Sequence, residues 1–213
     1  MTDRSVEGHE GGGTSLSLLA RVRADDQSAW VRLVDLYGRL IYDWCLRGGL
    51  QPEDAADVGQ EVFIVVARKI QEFRRDRPGD SFRGWLYTIT RNKIRDWARA
   101  RGEGGEGGSD SGRLGRVVAA ELSDPDESSV CDDRRLLVRR AIELVRGEFE
   151  PKTWEAFWRA AVDGQPAEVV AADLGMTRDA VYIAKGRVRR RLLGEFGDLL
   201  ELDSVRPSGQ VQG

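Results

Sequence analysis

Histidine is almost missing from this chain: His9 is the only one, and it lies in a glycine-rich stretch, EGHEGGG. That nearly rules out histidine-based catalytic triads and the common histidine-containing metal sites, which need imidazole held in a folded centre. Cysteine is scarce too. Cys45 and Cys131 cannot build a disulfide framework, and neither stands in a C-x-x-C arrangement, so a reducing cytoplasm is the expected setting. No apolar run approaches the roughly 20 residues of a membrane span. The N-terminus also lacks the apolar core of a signal peptide. No nucleophile, base and phosphate loop converge in the pattern, which argues against an enzyme. No cofactor or metal is expected.

Charge is what the chain has in quantity. Lys and Arg number 33 against 36 Asp and Glu, a formal net charge of −3. Taken whole, that balance argues against a nucleic-acid partner. Its distribution argues the other way, because two basic helical stretches are separated by an acidic one. With 213 residues and 40% hydrophobic content, the chain suffices for one medium domain or two small ones.

Residues 1–13 are polar and glycine-rich, a composition expected to stay unordered. Thr14 or Ser15 is expected to cap a short helix, SLLARVRA. Asp25 and Asp26 then open a longer helix over 27–47, stopped by Gly48 and Gly49. Its Trp30, Leu33, Val34, Tyr37, Ile41 and Trp44 form an apolar stripe, read as core in preference to a base-stacking platform.

The stretch 51–101 organises the rest. Pro52 suits a first helical position, and Glu53, Asp54 and Asp57 put acid in the opening turn. Val58, Val62, Val65 and Phe73 mark a buried face. Asp57, Gln60, Glu61 and Ile64 lie on another face, open to a partner. Pro78 and Gly79 end a break, and Ser81 can cap the next helix. That helix buries Phe82, Trp85, Leu86 and Ile89 and shows Thr88, Arg91, Asn92, Arg95 and Arg99 on its other side. An acidic, amide-bearing face followed by a basic, aromatic one points to two partners, the second a nucleic acid.

Residues 102–133 break the pattern. They read as an acidic, glycine-rich linker with an r.m.s. span on the order of 30 Å, and only 114–122 has apolar character enough for a transient helix. A second domain is expected over 134–202, with a polar tail at 203–213. Its first helix, 134–147, buries Leu137, Ala141, Leu144 and Val145. The second opens at Pro151 and turns Trp154, Phe157, Trp158 and Ala161 inward. Pro166 begins a third, Gly175 ends it, and Thr177 caps a fourth over 178–196. Ala171, Gly175 and Val181 carry a helix-turn-helix signature. The expected fold is all-α, two helical domains with the C-terminal one a helix-turn-helix. Such a motif presents the start of its second helix to base edges: Thr177, Arg178, Asp179, Tyr182 and Ile183, with Arg178 the candidate for guanine. Lys185, Arg187, Arg189, Arg190 and Arg191 then meet phosphate.

The runs Asp57-Val58-Gly59-Gln60-Glu61-Val62-Phe63 and Phe82-Arg83-Gly84-Trp85-Leu86-Tyr87-x-Ile89-x-Arg91-Asn92 closely resemble the second conserved region of bacterial RNA polymerase sigma factors. The small two-domain, extracytoplasmic-function (ECF) kind is most similar, over about residues 15–200. The resemblance implies a factor that binds core RNA polymerase and promoter DNA without entering a membrane. Asp57, Gln60, Glu61 and Ile64 would dock on the clamp helices of the largest polymerase subunit. Arg74, Arg75, Asp76, Arg77 and Asp80 would form the loop accepting a flipped minus-10 base, with Thr88, Arg91, Asn92, Arg95 and Arg99 on the adjoining helix face. The helix-turn-helix would read the minus-35 element, and the linker would thread the polymerase near the RNA path. Ile183 and Ala184 depart from the polar residue and arginine usual there, which bears on the sequence preferred. Regulation from outside, by an anti-sigma factor or another partner, is expected. The alternative is a stand-alone helix-turn-helix regulator with an N-terminal dimerisation domain.

Overall fold

The computed structural model describes residues 17–77, 79–103 and 126–200, and every regular element among them is helical. The expectations for 1–13, Pro78, 114–122 and 203–213 fall outside the described residues; the first helix is capped at Ser17, not at Thr14 or Ser15.

Helix α1 (Leu18–Arg23) starts at Ser17, whose hydroxyl accepts from the Ala20 amide. Asp25 takes a positive φ of 59°, and Asp26 then caps α2 (Gln27–Arg47) by accepting from Ser28 and Ala29. The Ser28 hydroxyl, the Arg21 guanidinium and those amides hold the Asp26 carboxyl down at about 2. Gly49, at φ 86°, turns the chain out of α2. Of the α2 aromatics, Tyr37 and Trp44 are buried together with Leu33, Leu36, Leu40 and Ile41, while Trp30 and Tyr42 are half-buried against that core. Val34 is the exception, exposed on the rim of the stripe.

Helix α3 (Pro52–Lys69) buries Ala55, Val58, Val62 and Val66. Val66 takes the inward place expected of Val65, because steps of three, four and four follow a 3.6-residue period more closely; Val65 is half-buried. Ser81 caps α4 (Phe82–Glu103) through the Gly84 amide. Phe82, Leu86, Ile89, Ile94 and Ala98 of α4 face the core. Phe73, Phe82 and Trp85 pack with ring centroids 5.3–5.5 Å apart, and Trp85 is half-buried.

The expected linker ends earlier than its composition implies. Helix α5 (Glu127–Val145) begins roughly two turns before residue 134. Asp126 caps it, and the Ser129 hydroxyl and then the Ser129 amide lower the Asp126 carboxyl pKa. The acidic run that reads as linker is therefore a capped helix start, with acid at the positive end of the helix dipole.

After a 3-10 turn (Arg146–Glu148), α6 (Pro151–Phe157) runs into a π-helical turn (Trp158–Val162). The wider π turn rotates Ala161 out to solvent, where an unbroken α-helix would have pointed it inward. Helix α7 (Ala167–Leu174) ends at Gly175, left-handed at φ 57° and ψ 49°, and α8 (Arg178–Leu200) follows. Ala156, Ala167, Val170, Ala171, Val181 and Ala184 form a small core of their own.

Leu137, Ala141, Val145, Val188, Leu192, Phe196 and Leu199 share one core with α1 to α4. Two buried carboxylates stand in this junction. Asp133, 3% exposed, accepts from Trp44 Nε1 at 2.9 Å, Arg47 at 2.9 Å and Arg83 at 3.1 Å. Glu195, 1% exposed, is gripped by Arg32 and Arg191 and lies 3.9 Å from Arg21. Glu148 braces Arg32 and Arg191 from the outer side.

Removing one partner of a buried ionic cluster leaves the others desolvated and unpaired, typically at about 3–5 kcal/mol. Asp133→Ala should therefore lower the free energy of unfolding in urea by about 3 kcal/mol. Asp132→Ala, at an exposed i,i+3 pair with Arg135, should change it by less than ~0.5 kcal/mol. Equal effects would place Asp133 in a solvated linker.

Candidate nucleic-acid and partner interfaces

Three surfaces carry the residues singled out by the sequence. On α3, Asp57, Gln60, Glu61 and Ile64 fall at i, i+3, i+4 and i+7, on one face turned away from Ala55, Val58, Val62 and Val66. All four are exposed, and Ile64 is 50% exposed amid acid and amide groups. Lys93 of α4 donates to Glu61 at 2.9 Å, tying the edge of this face to the next helix. An apolar centre with a polar rim is the composition of a protein-docking surface.

The second surface is the loop before α4 and the polar side of α4. Arg74, Arg75, Asp76, Arg77 and Asp80 are all exposed. They do not act alike. The Asp80 carboxylate accepts from the Asp76 amide at 3.1 Å and the Arg77 amide at 2.9 Å, so it shapes the loop. Arg74 donates to the carbonyls of Phe73 and Gln71 and so braces the base of the loop just after α3. Arg75 and Arg77 project beyond this frame. Along α4, Thr88, Arg91, Asn92, Arg95 and Arg99 share one face by spacing. Thr88 back-bonds to the Gly84 carbonyl at 3.0 Å, and Arg91 lies over the Tyr87 ring at 5.9 Å. Arg99 pairs with Asp96. Asn92 is exposed between these cations. Tyr87 in turn meets Trp44 edge-on at 5.2 Å, which fixes the α4 face to the core.

The third surface is the start of α8. Thr177 caps it by accepting from the Ala180 amide at 3.1 Å. Arg178 donates to Glu168 of α7 at 3.2 Å, and both side chains are more than half exposed. The Glu168 backbone amide and then the Arg178 guanidinium lower the Glu168 carboxyl pKa. Asp179, Tyr182, Ile183, Lys185, Arg187, Arg189 and Arg190 are exposed. Arg191 is turned inward, onto Glu148 and Glu195, and so leaves the outward basic group. Ala184 faces the small core, 3% exposed; its departure from an arginine lies off the outward face, and that at Ile183 lies on it.

Sequence reasoning passed over Arg83, Asp133 and Glu195. One signal was present: Glu195 sits beside Leu192, Phe196 and Leu199 on an inward-facing stripe, where a carboxylate needs a buried partner. Asp133 carried no such signal, because its neighbours in sequence are acidic and exposed.

Residues 33–103 match the family model of Sigma-70 region 2. The chain is 30% identical over 194 residues to RNA polymerase sigma factor CnrH of Cupriavidus metallidurans, covering 89% of this chain and 95% of that one. It is 26% identical over 193 residues to the ECF RNA polymerase sigma-E factor of Escherichia coli, covering 84% and 94%. The ECF RNA polymerase sigma factor SigE of Mycolicibacterium smegmatis is 30% identical over 176 residues, covering 78% of this chain and 62% of the relative. Among solved structures, CnrH in complex with the cytosolic domain of CnrY aligns over 90% of this chain and 100% of that one, at 24% identity and a TM-score of 0.35.

The two thiols offer a direct check on how these surfaces are supported. Cys45 is buried in α2, and burial pushes its pKa up to about 12, whereas Cys131 is exposed on α5. A thiolate-selective reagent should modify Cys131 in the folded protein and reach Cys45 only on unfolding. Rapid modification of both would mean that α2 is not packed as described.

Proposed function

We propose a division of labour along this chain, which belongs to the extracytoplasmic-function family of bacterial RNA polymerase sigma factors. It binds core RNA polymerase and directs promoter recognition, DNA melting and the start of transcription. The α3 face of Asp57, Gln60, Glu61 and Ile64 docks on the polymerase. The loop of Arg74, Arg75, Asp76, Arg77 and Asp80 and the α4 face of Thr88, Arg91, Asn92, Arg95 and Arg99 take the minus-10 element. The outward side of α8 takes the minus-35 element. The chain supplies no bond-making chemistry of its own. Its place is with the polymerase, in the cytoplasm, and a regulator outside the chain, of anti-sigma type, would set when it acts.

The observation that carries this reading is the pairing of two unlike faces on one rigid pair of helices. The acidic, amide-bearing face belongs to α3 and the cationic face to α4, and Lys93–Glu61 spans the step between them at 2.9 Å. A stand-alone regulator would leave the first of these without a use. The energetics agree. Unstacking duplex DNA costs about 1.4 kcal/mol per step, and an aromatic or pocket contact recovers about 1–3 kcal/mol per captured base. A domain this small opens a promoter only while attached to a larger machine, which is what the α3 face provides.

The outward basic residues of α8 separate by height along the helix. Arg178 lies just after the cap, at the end that enters a groove, while Arg189 is about three turns on. Contact with phosphate carries no sequence information, so Arg189 anchors and does not read.

Two measurements test the assignment. A combined Asp57→Ala, Gln60→Ala variant alters only exposed positions, so its unfolding free energy should move by no more than ~0.5 kcal/mol. It should nevertheless lose core polymerase in a pull-down, and retained binding with an unchanged melting curve would overturn the α3 assignment. Arg189→Ala should weaken holoenzyme binding on preferred and scrambled minus-35 duplexes alike. The slope of log K against log salt should flatten by roughly one unit. A sequence-selective loss at Arg189 would mean that α8 lies in the groove in another register.

A further inference from the structure

The outward side of α8 is not uniformly basic. Tyr182 and Ile183 stand 54% and 57% exposed, among the most exposed large apolar residues described, and they are adjacent. Gly186 lies three and four residues further on, beneath them on the same face. Among the described residues nothing packs against that glycine. Beyond its own helix backbone, a methyl group built there would meet no atom of the described residues within 4 Å, and Gly186 is not among the residues with positive φ. Glycine in a helix interior is less stable than alanine. Gly38 and Gly194 are equally open; what sets Gly186 apart is its place beneath Tyr182 and Ile183, where a bare position allows close approach by something outside.

Around this patch the charges fit one visitor. Lys185, Arg187, Arg189 and Arg190 are exposed to either side and further along the helix, a pattern suited to phosphates flanking a groove. Ile183 has no hydrogen-bonding group, so it cannot read a donor or acceptor on a base edge. The one apolar group that base pairs display in the major groove is the C5-methyl of thymine. Val181, Ala184 and Val188 point to the opposite side and are buried, so the register of Ile183 toward the outside is fixed by packing.

We propose that Ile183, with Tyr182 beside it and Gly186 permitting close approach, reads thymine methyl groups in the minus-35 element. The preferred element then has a T·A pair where Ile183 falls, recognised by apolar contact where a polar side chain would use hydrogen bonds. This rests on the assignment of α8 to minus-35 DNA given above.

The test uses holoenzyme assembled from the full chain and core polymerase. A promoter is first selected from duplexes randomised over the minus-35 region. Each thymine of the selected element is then replaced singly by deoxyuridine, which removes the methyl and nothing else. Wild type should bind one of these duplexes about fourfold more weakly, the worth of one buried methyl group. Ile183→Ala should bind the thymine and deoxyuridine forms of that duplex equally. Gly186→Ala should raise the melting temperature of the protein while weakening binding to the selected element, so lost folding cannot explain the loss. If no deoxyuridine weakens wild-type binding, or if Ile183→Ala still discriminates, thymine reading by Ile183 is wrong. If Gly186→Ala binds as wild type does, close approach at Gly186 is wrong. Should selection return no minus-35 preference at all, the assignment of α8 fails with it, a separate outcome from a preference indifferent to the methyl.

Discussion

A carboxylate taken out of water must be paired, and at the middle of this protein that requirement falls on Asp133. Its two oxygens are shared among an indole N–H from α2, a guanidinium from the end of α2 and another from the first turn of α4. The acceptor therefore comes from α5 and its donors from the first half of the chain. Glu195 repeats the arrangement from α8, against Arg32 of α2 and Arg21 of α1. Each cluster fails as a unit if one member is lost, because the remaining charges stay buried. The common core around them is apolar and non-directional. It is the carboxylates that specify which helix faces meet.

This arrangement also sorts the arginines. Arg21, Arg32, Arg47, Arg83 and Arg191 are committed to acids. Others, among them Arg75, Arg77, Arg187, Arg189 and Arg190, which are proposed to meet DNA, stand in solvent. A net charge of −3 thus coexists with locally cationic faces on α4 and α8. Whole-chain charge is a poor guide to partners where the acids are held inside or on other surfaces.

Local rules made much of this legible. Asp26 and the Gly48-Gly49 pair bound α2 as their chemistry dictates, and Ser81, Gly175 and Thr177 mark the other ends in the same way. The exposed faces of α3, α4 and α8 follow from spacing alone. Tertiary effects did not show through. Asp126 looks like part of the linker until the Ser129 amide is counted as its partner. The π turn after Phe157 displaces Ala161 by a rotation that hydrophobic periodicity cannot register. Asp133 is invisible as a buried residue because its burial is imposed by helices about 50 to 90 positions away.

The closed junction also sets a length. The minus-10 and minus-35 elements are named for positions about 25 base pairs apart, which at ~3.4 Å per pair is roughly 85 Å of duplex. A chain of this size gathered on one core has a radius of gyration on the order of 15 Å. While Asp133 and Glu195 join the halves, α4 and α8 cannot reach both elements of a straight promoter together. On the proposed assignment, two-site engagement begins by parting these carboxylates from Trp44, Arg47, Arg83, Arg21 and Arg32. The polymerase and the DNA must offset that separation, so the strength of the junction is subtracted from the affinity for every promoter the protein serves.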